Sequence, residues 1–462
     1  MREPLFNTLP RPQPAALAGR RVLVLGLGDT GLSVAQWVAR EGGTPRLADT
    51  RAAPPRAREA RAFEVVTGRF RKSLLAGVDL VCISPGLALT EPVVQEALAR
   101  GVPVAGDIEL FAWVVRGRTA AKVLAVTGTN GKTTVAALTG HLLRAARVDC
   151  EVAGNIGPAA LAALMQRARP PAVWVLELSS YQLETTWSLE PDAATMLNLS
   201  EDHLDRYAGL AEYAAAKARV FLGAGAQVLN RADSASMALA LAGRAQLTFG
   251  PDAPPLAEDF GIVDAGGRKW LARGAERIVP ADELQIRGAH NAVNALAACA
   301  LAHQAGAPLE ALAQGLRTFR GLPHRLEHIA ERHGVAWYDD SKGTNVGAAT
   351  AALNGLAQKV VLIAGGEGKG QDFAPLAGPV RAYARAVLLI GRDAARIERA
   401  LRASGVPLAR CASLPQAVRR AARLAQPGDA VLLSPACASF DMFRDYAHRG
   451  EVFAAAVRRL PR

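Results

Sequence analysis

The chain has 462 residues, half of them hydrophobic: too long for one core, too apolar for wholesale disorder, so two to four folded domains are expected. A net charge of +12 suits polyanionic ligands, but arginine is spread along the chain with no basic block interleaved with aromatics; this disfavours nucleic acid and leaves nucleotides. No apolar run approaches the roughly 20 residues that cross a bilayer. The leading MREPLFNTLPRPQP has no apolar signal core, and five scattered cysteines (Cys82, Cys150, Cys299, Cys411, Cys437) show no C-x-x-C spacing, so a reduced, cytoplasmic protein without membrane insertion is expected.

Short apolar runs ending in Gly, Ser, Asp or Asn alternate with Ala-rich amphipathic stretches along the whole chain, which predicts an α/β fold with mainly parallel sheets. The first run, RVLVLG, opens a G-x-G-x-x-G loop (Gly26, Gly28, Gly31) followed by a helical pattern, with Asp49 ending the next strand. Such a loop brings backbone close to a diphosphate at a helix N-terminus; by itself it leaves NAD and other phosphate-bearing ligands open. A first unit is expected over residues 1–110, a second over 111–321 and a third over 322–462, with TFGPDAPP and VDAGGRKW (245–285) forming a small antiparallel insert in the second.

The run KVLAVTG continues into TNGKTT, a strand, glycine turn and Gly-Lys-Thr helix start. In a P-loop of this kind backbone N–H groups cradle phosphates, Lys132 pairs with the β/γ oxygens and Thr133 ligates Mg²⁺. One departure stands out: Val126 sits where the usual first glycine would be, and Gly128 is the nearest glycine. Glu177 ends AVWVLELSS, where a nucleotide hydrolase keeps a magnesium carboxylate, and His203 lies among the acids of EDHLDRY, suiting a second metal. Only eight of the 54 basic residues are lysine, so lysines that persist are candidates for tasks a guanidinium cannot perform; Lys132, Lys217, Lys342 and Lys369 all fall inside motifs.

Taken in order, TGTNGKTT, GNIG (154–157), ELSSYQLETT, DHLDRY, AAAKARVF, HNAVNALAA (290–298), GLPHRLE (321–327), YDDSKGTN, GGEGKGQDF and SPACASFDMF resemble the Mur ligases of peptidoglycan synthesis over nearly the whole chain. The third-unit signatures GLPHR, DSKGTN and SPACASFD resemble the D-glutamate-adding branch of that family. The resemblance implies a Rossmann-like N-terminal domain that holds a UDP-sugar instead of NAD, a central P-loop-type ATPase domain and a Rossmann-like C-terminal domain that holds the amino acid. It implies ATP-dependent amide formation through an acyl phosphate, with ATP as co-substrate, two Mg²⁺ sites and a monomeric enzyme.

By the same resemblance, Gly28, Asp29, Thr30, Asp49, Thr50, Arg51, Ser84, Gly86 and Asn155 face the UDP-substrate. Gly128, Thr129, Asn130, Gly131, Lys132, Thr133, Thr134, Asn291, Arg325 and Asp340 hold ATP. Thr133, Glu177, His203 and Lys217 bind metal, with Lys217 carbamylated by CO₂; Lys342, Thr344, Lys369, Ser439 and Tyr446 read D-glutamate. A carbamate needs an amine with an accessible neutral form, which lysine supplies when desolvated and arginine does not. A folylpolyglutamate-synthase-like ligase would share the central motifs but not the UDP-holding unit, and a binding-only protein would need no metal ligands. Ligands divided among three domains imply that the third domain opens and closes.

Overall fold

The computed structural model describes residues 5–203 and 206–461. Among them lie three sheets, each built on fully buried Val/Leu/Ile runs that become central strands because helices cover both faces. The first sheet runs, in spatial order, Glu64–Thr67, Thr44–Asp49, Arg21–Leu25, Leu80–Ile83 and Val104–Ala105, all parallel. Its order reverses beside Arg21–Leu25, which puts the glycine loop at the switch point where such sheets take ligands. Two of the loop glycines are required there: Gly26 has φ +91°, and a Cβ on Gly31 would collide with the Gly26 carbonyl.

The second sheet has nine strands, with Lys122–Thr127 between Ala193–Met196 and Val173–Glu177 at its own switch point. Its far edge is the 245–285 region: Gln246–Phe249 joins in parallel, then Phe260–Ala265, Arg268–Arg273 and Glu276–Pro280 form the expected antiparallel extension. The Ala-rich helix Ala289–Gln304 and the P-loop helix Lys132–Ala145 pack closely over one face, since alanine lets their backbones approach. The third sheet runs Glu327–Arg332, Val335–Asp339, Ala430–Leu433, Val360–Gly365, Ala384–Ile390 and Leu408–Arg410, parallel except for its first pair.

The helix Asp107–Arg118 crosses the residue-110 boundary expected from sequence. On it Glu109, fully buried, accepts from the Trp187 and Ser188 N–H groups (2.6 and 2.9 Å), the Ser188 hydroxyl (2.6 Å) and the Trp113 indole (2.9 Å). The three donors from Trp187 and Ser188 clamp this helix to the second unit. All five cysteines are buried and free. No helix among the described residues is long and apolar enough to cross a membrane.

Candidate active site

The loop after Lys122–Thr127 is held open by left-handed glycines, Gly128 at φ +145° and Gly131 at φ +85°, and no side chain caps the helix that starts at Lys132. Its first N–H groups therefore face the loop, an arrangement that suits phosphate. Asn198, at the end of the neighbouring strand, fastens the loop: its Oδ1 accepts from Asn130 N (2.8 Å) and its Nδ2 donates to Asn130 O (3.1 Å). The sequence reading passed over Asn198; a lone asparagine after a strand carries little signal.

Lys132 Nζ donates to the carbonyls of Gly128 and Thr129, both at 2.9 Å, and Lys217 Nζ donates to the same Gly128 carbonyl at 2.8 Å. Burial, then the Lys132 charge, push the Lys217 amine well below its ordinary range. Lys217 is 1% exposed, its Nζ 4.5 Å above the Tyr213 ring. Glu177 is equally buried: Oε1 accepts from Asn155 Nδ2 at 2.8 Å, whereas Oε2 has no partner among the described residues. A buried carboxylate oxygen left unpaired beside a phosphate loop suits a cation. Asn155 thus reaches the Glu177 carboxylate while also lining a cleft between the first two units.

His203 is also near this centre. Its Nδ1 pairs with the Tyr181 hydroxyl at 2.7 Å, its Nε2 lies 3.7 Å from Asp202, and burial lowers its pKa. Asp202 bridges to the third unit, accepting from Lys369 Nζ (3.0 Å) and Asn345 Nδ2 (3.3 Å); Asn345 also reaches Asn130 Oδ1 (3.1 Å). Asp202, Tyr181 and Asn345 were not singled out from sequence, although all three stand inside quoted motifs. Leu204 and Asp205 of DHLDRY lie outside the described residues.

A cleft of about 700 Å³ opens between the first two units, lined by Gly28, Asp29, Thr30, Ser84, Gly86 and Asn155 among others. Asp49, Thr50 and Arg51 lie outside that lining. The Asp49 carboxylate, 2% exposed, accepts from Leu27 N at 2.7 Å and from the Arg51 guanidinium at 2.6 and 2.8 Å, and these bonds hold its pKa near 2. It therefore braces the glycine loop from behind.

Two cavities at the junction of the second and third units, about 580 and 70 Å³, share Asn291 and Arg325, and Asp340 lines the smaller. The Asn291 amide donates to Arg287 O (2.7 Å) and its Oδ1 accepts from Asn294 (3.2 Å). The buried Arg325 guanidinium contacts the Thr133 hydroxyl across the junction. Burial raises Asp340 to about 7, against the opposing pull of the Ser434 hydroxyl at 2.7 Å.

In the third unit, Lys342 Nζ stands 4.9 Å over the Tyr446 ring, and burial together with nearby Arg325 lowers the lysine to about 8. The Thr344 N–H donates to Lys342 O at 2.9 Å. Ser439 is 3% exposed and its carbonyl accepts from Met442 and Phe443 N–H. Lys369 points across the junction to Asp202 instead of joining Lys342. The fully buried Arg449, absent from the sequence reading, donates to Ser341 Oγ and to the Ser341 and Cys437 carbonyls, tying the SPACASF turn to DDSK.

The family described as "Mur ligase MurD-like, N-terminal domain" matches residues 20–106, "Mur ligase middle domain" matches 126–302, and "Mur ligase, glutamate ligase domain" matches 324–437. The UDP-N-acetylmuramoylalanine–D-glutamate ligase of Nitrosospira multiformis is 56% identical, covering 96% of each chain. That of Aromatoleum aromaticum is 54% identical over 97% of this chain and 99% of its own. Among solved structures, the UDP-N-acetylmuramate-alanine ligase of Thermotoga maritima shares the fold at 19% identity, with a TM-score of 0.62, 95% of this chain and 99% of that one. With three family domains in order and relatives above half identity along their full length, the chain belongs to the Mur ligase family.

Proposed function

We propose that the protein is the ligase that joins D-glutamate to UDP-N-acetylmuramoyl-L-alanine, spending ATP and releasing ADP and phosphate in peptidoglycan precursor synthesis. The observation that carries this reading is the convergence on one phosphate loop of Lys132, Lys217 and an unpaired Glu177 oxygen, with Arg325 and Lys342 arriving from the third unit. A carboxylate is a poor electrophile, so ATP phosphorylates it; the D-glutamate amine then attacks the acyl phosphate, and the tetrahedral intermediate collapses to an amide.

The chain's own groups fit each task. Gly28–Thr30, Ser84, Gly86 and Asn155 line the cleft for the UDP-substrate, with Asp49 and Arg51 bracing the loop. Lys132 and the loop N–H groups neutralise the β/γ-phosphates, and Asn291, Arg325 and Asp340 line the nucleotide's other end. Thr133, Glu177, His203 and a carbamylated Lys217 suit two magnesium ions, which when bound supply the charge neutralisation that lets two anions meet. Lys342, Thr344, Lys369, Ser439 and Tyr446 take the amino acid, lysines against its two carboxylates. For Lys369 this requires release from Asp202. Five buried free cysteines agree with work in a reducing cytoplasm.

The test is phosphate release with Mg-ATP and UDP-N-acetylmuramoyl-L-alanine, comparing D-glutamate with L-glutamate, L-alanine and meso-diaminopimelate. Turnover with D-glutamate alone, lost in Lys132→Ala, is expected; turnover with another amino acid overturns the substrate assignment.

A further inference from the structure

The histidine of the H-N-x-x-N stretch has no part in the scheme above, yet it is seated as a docked side chain. His290 is second in the helix Ala289–Gln304, one residue before Asn291. Its ring lies in a slot walled by two glycines. A Cβ on Gly288 would come within 2.8 Å of the ring Cε1, and a Cβ on Gly355 within 2.5 Å of Nδ1. Gly288 belongs to the central unit and has φ +101°; Gly355 lies on the third-unit helix Val346–Leu356. From that same helix the Ala351 backbone hydrogen-bonds the imidazole. Nδ1 is buried without a partner among the described residues, so the ring is fixed by the glycine walls and by a bond that crosses to the third unit.

The rest of this helix start reads nucleotide. Asn291 lines both junction cavities, and the side-chain oxygen of Asn294 would sit 2.6 Å from a Cβ on Gly131 of the phosphate loop. A single rigid turn therefore touches the phosphate loop, the base side of the nucleotide site and the third unit. We propose that His290 is a positioning residue that couples seating of the third domain to the nucleotide site, its ring acting as a peg in a slot that is complete only when the third domain is docked. Burial lowers His290 to about 4, so the neutral ring keeps its single N–H for Ala351 at neutral pH.

The proposal rests on the ligase reading, and the test separates the two. Full-length wild type, His290→Ala, His290→Gln and Gly355→Ala are compared by steady-state kinetics, calorimetric affinity for a non-hydrolysable ATP analogue, and small-angle scattering with and without that analogue. In His290→Ala nucleotide-induced compaction is expected to be lost, KM for D-glutamate to rise tenfold or more, and the analogue's affinity to fall only by the share that docking contributed. Gly355→Ala, which fills the slot from the third-domain side, should give the same pattern without altering His290, and carries the test if His290→Ala does not fold. His290→Gln, whose amide N–H can reach the same carbonyl, should recover most of the loss. A loss of analogue affinity with compaction intact in His290→Ala would make His290 a nucleotide contact and overturn the proposal, as would wild-type KM and compaction in both slot variants. Wild type without D-glutamate-dependent turnover would sink the ligase reading instead, and the scattering comparison would still test His290.

Discussion

Lys132 and Lys217 donate to one oxygen, the carbonyl of Gly128, at 2.9 and 2.8 Å. Burial first, and then the charge of Lys132, lower the Lys217 amine well below the ordinary lysine range and so favour its neutral form. A neutral, desolvated amine at the edge of a phosphate loop is the species that adds CO₂. The expected outcome is that stripping CO₂ from the buffer lowers turnover and bicarbonate restores it, with a carbamate carbon visible by NMR after ¹³CO₂ addition. Lys217→Ala should lose at least about 100-fold in kcat and all bicarbonate dependence. Full activity in CO₂-free buffer would remove the carbamate from the mechanism.

Asn155 holds one oxygen of Glu177 and leaves the other buried without a partner among the described residues. Outer partners of a metal ligand typically carry 10–100-fold in metal affinity. Asn155→Ala should therefore raise the Mg²⁺ concentration for half-maximal activity by about tenfold, measured by titration at saturating ATP. An unchanged magnesium curve with a raised KM for the UDP-substrate would assign Asn155 to the cleft alone.

Lys342 titrates near 8 because it is buried beside Arg325. Below that pH it is an ammonium, which in the proposed role attracts a substrate carboxylate; above it the charge is lost. KM for the amino acid should therefore be flat from pH 6 to 7.5 and rise by up to about tenfold per unit beyond pH 8. Lys342→Arg, charged throughout, should abolish the upward turn whatever its absolute KM. A turn that survives in Lys342→Arg belongs to another group.

Glu109 should matter for stability and not for chemistry. Removing a fully buried acceptor of four donors leaves the Trp187 and Ser188 N–H groups unsatisfied, so Glu109→Ala should cost about 3–5 kcal/mol in urea unfolding. The loss should appear as weakened linkage of the first two units, read by limited proteolysis near residues 184–190. A change below about 1 kcal/mol would mean that water replaces the carboxylate.

How much of this was legible before folding follows from what each signal depends on. The strands, the glycine loop at Gly26–Gly31 and the phosphate loop at Gly128–Thr133 were readable because burial pattern and backbone geometry are local properties of ten residues. Lysines 132, 217, 342 and 369 stood out against an arginine-rich background for the same local reason. Tertiary contacts decided the rest. The bonds from Leu27 and Arg51 that hold Asp49 against its own loop form only once the turn closes. Asp202, Asn345, Arg449 and the glycine slot of His290 acquire their roles from partners up to 215 residues away. The sequence by itself determined the elements and the chemistry each could carry, since those depend on residue type and short-range spacing. Only the tertiary structure decided which groups share an oxygen, which stay unpaired and which cross between domains, because those depend on distances that chain spacing does not encode.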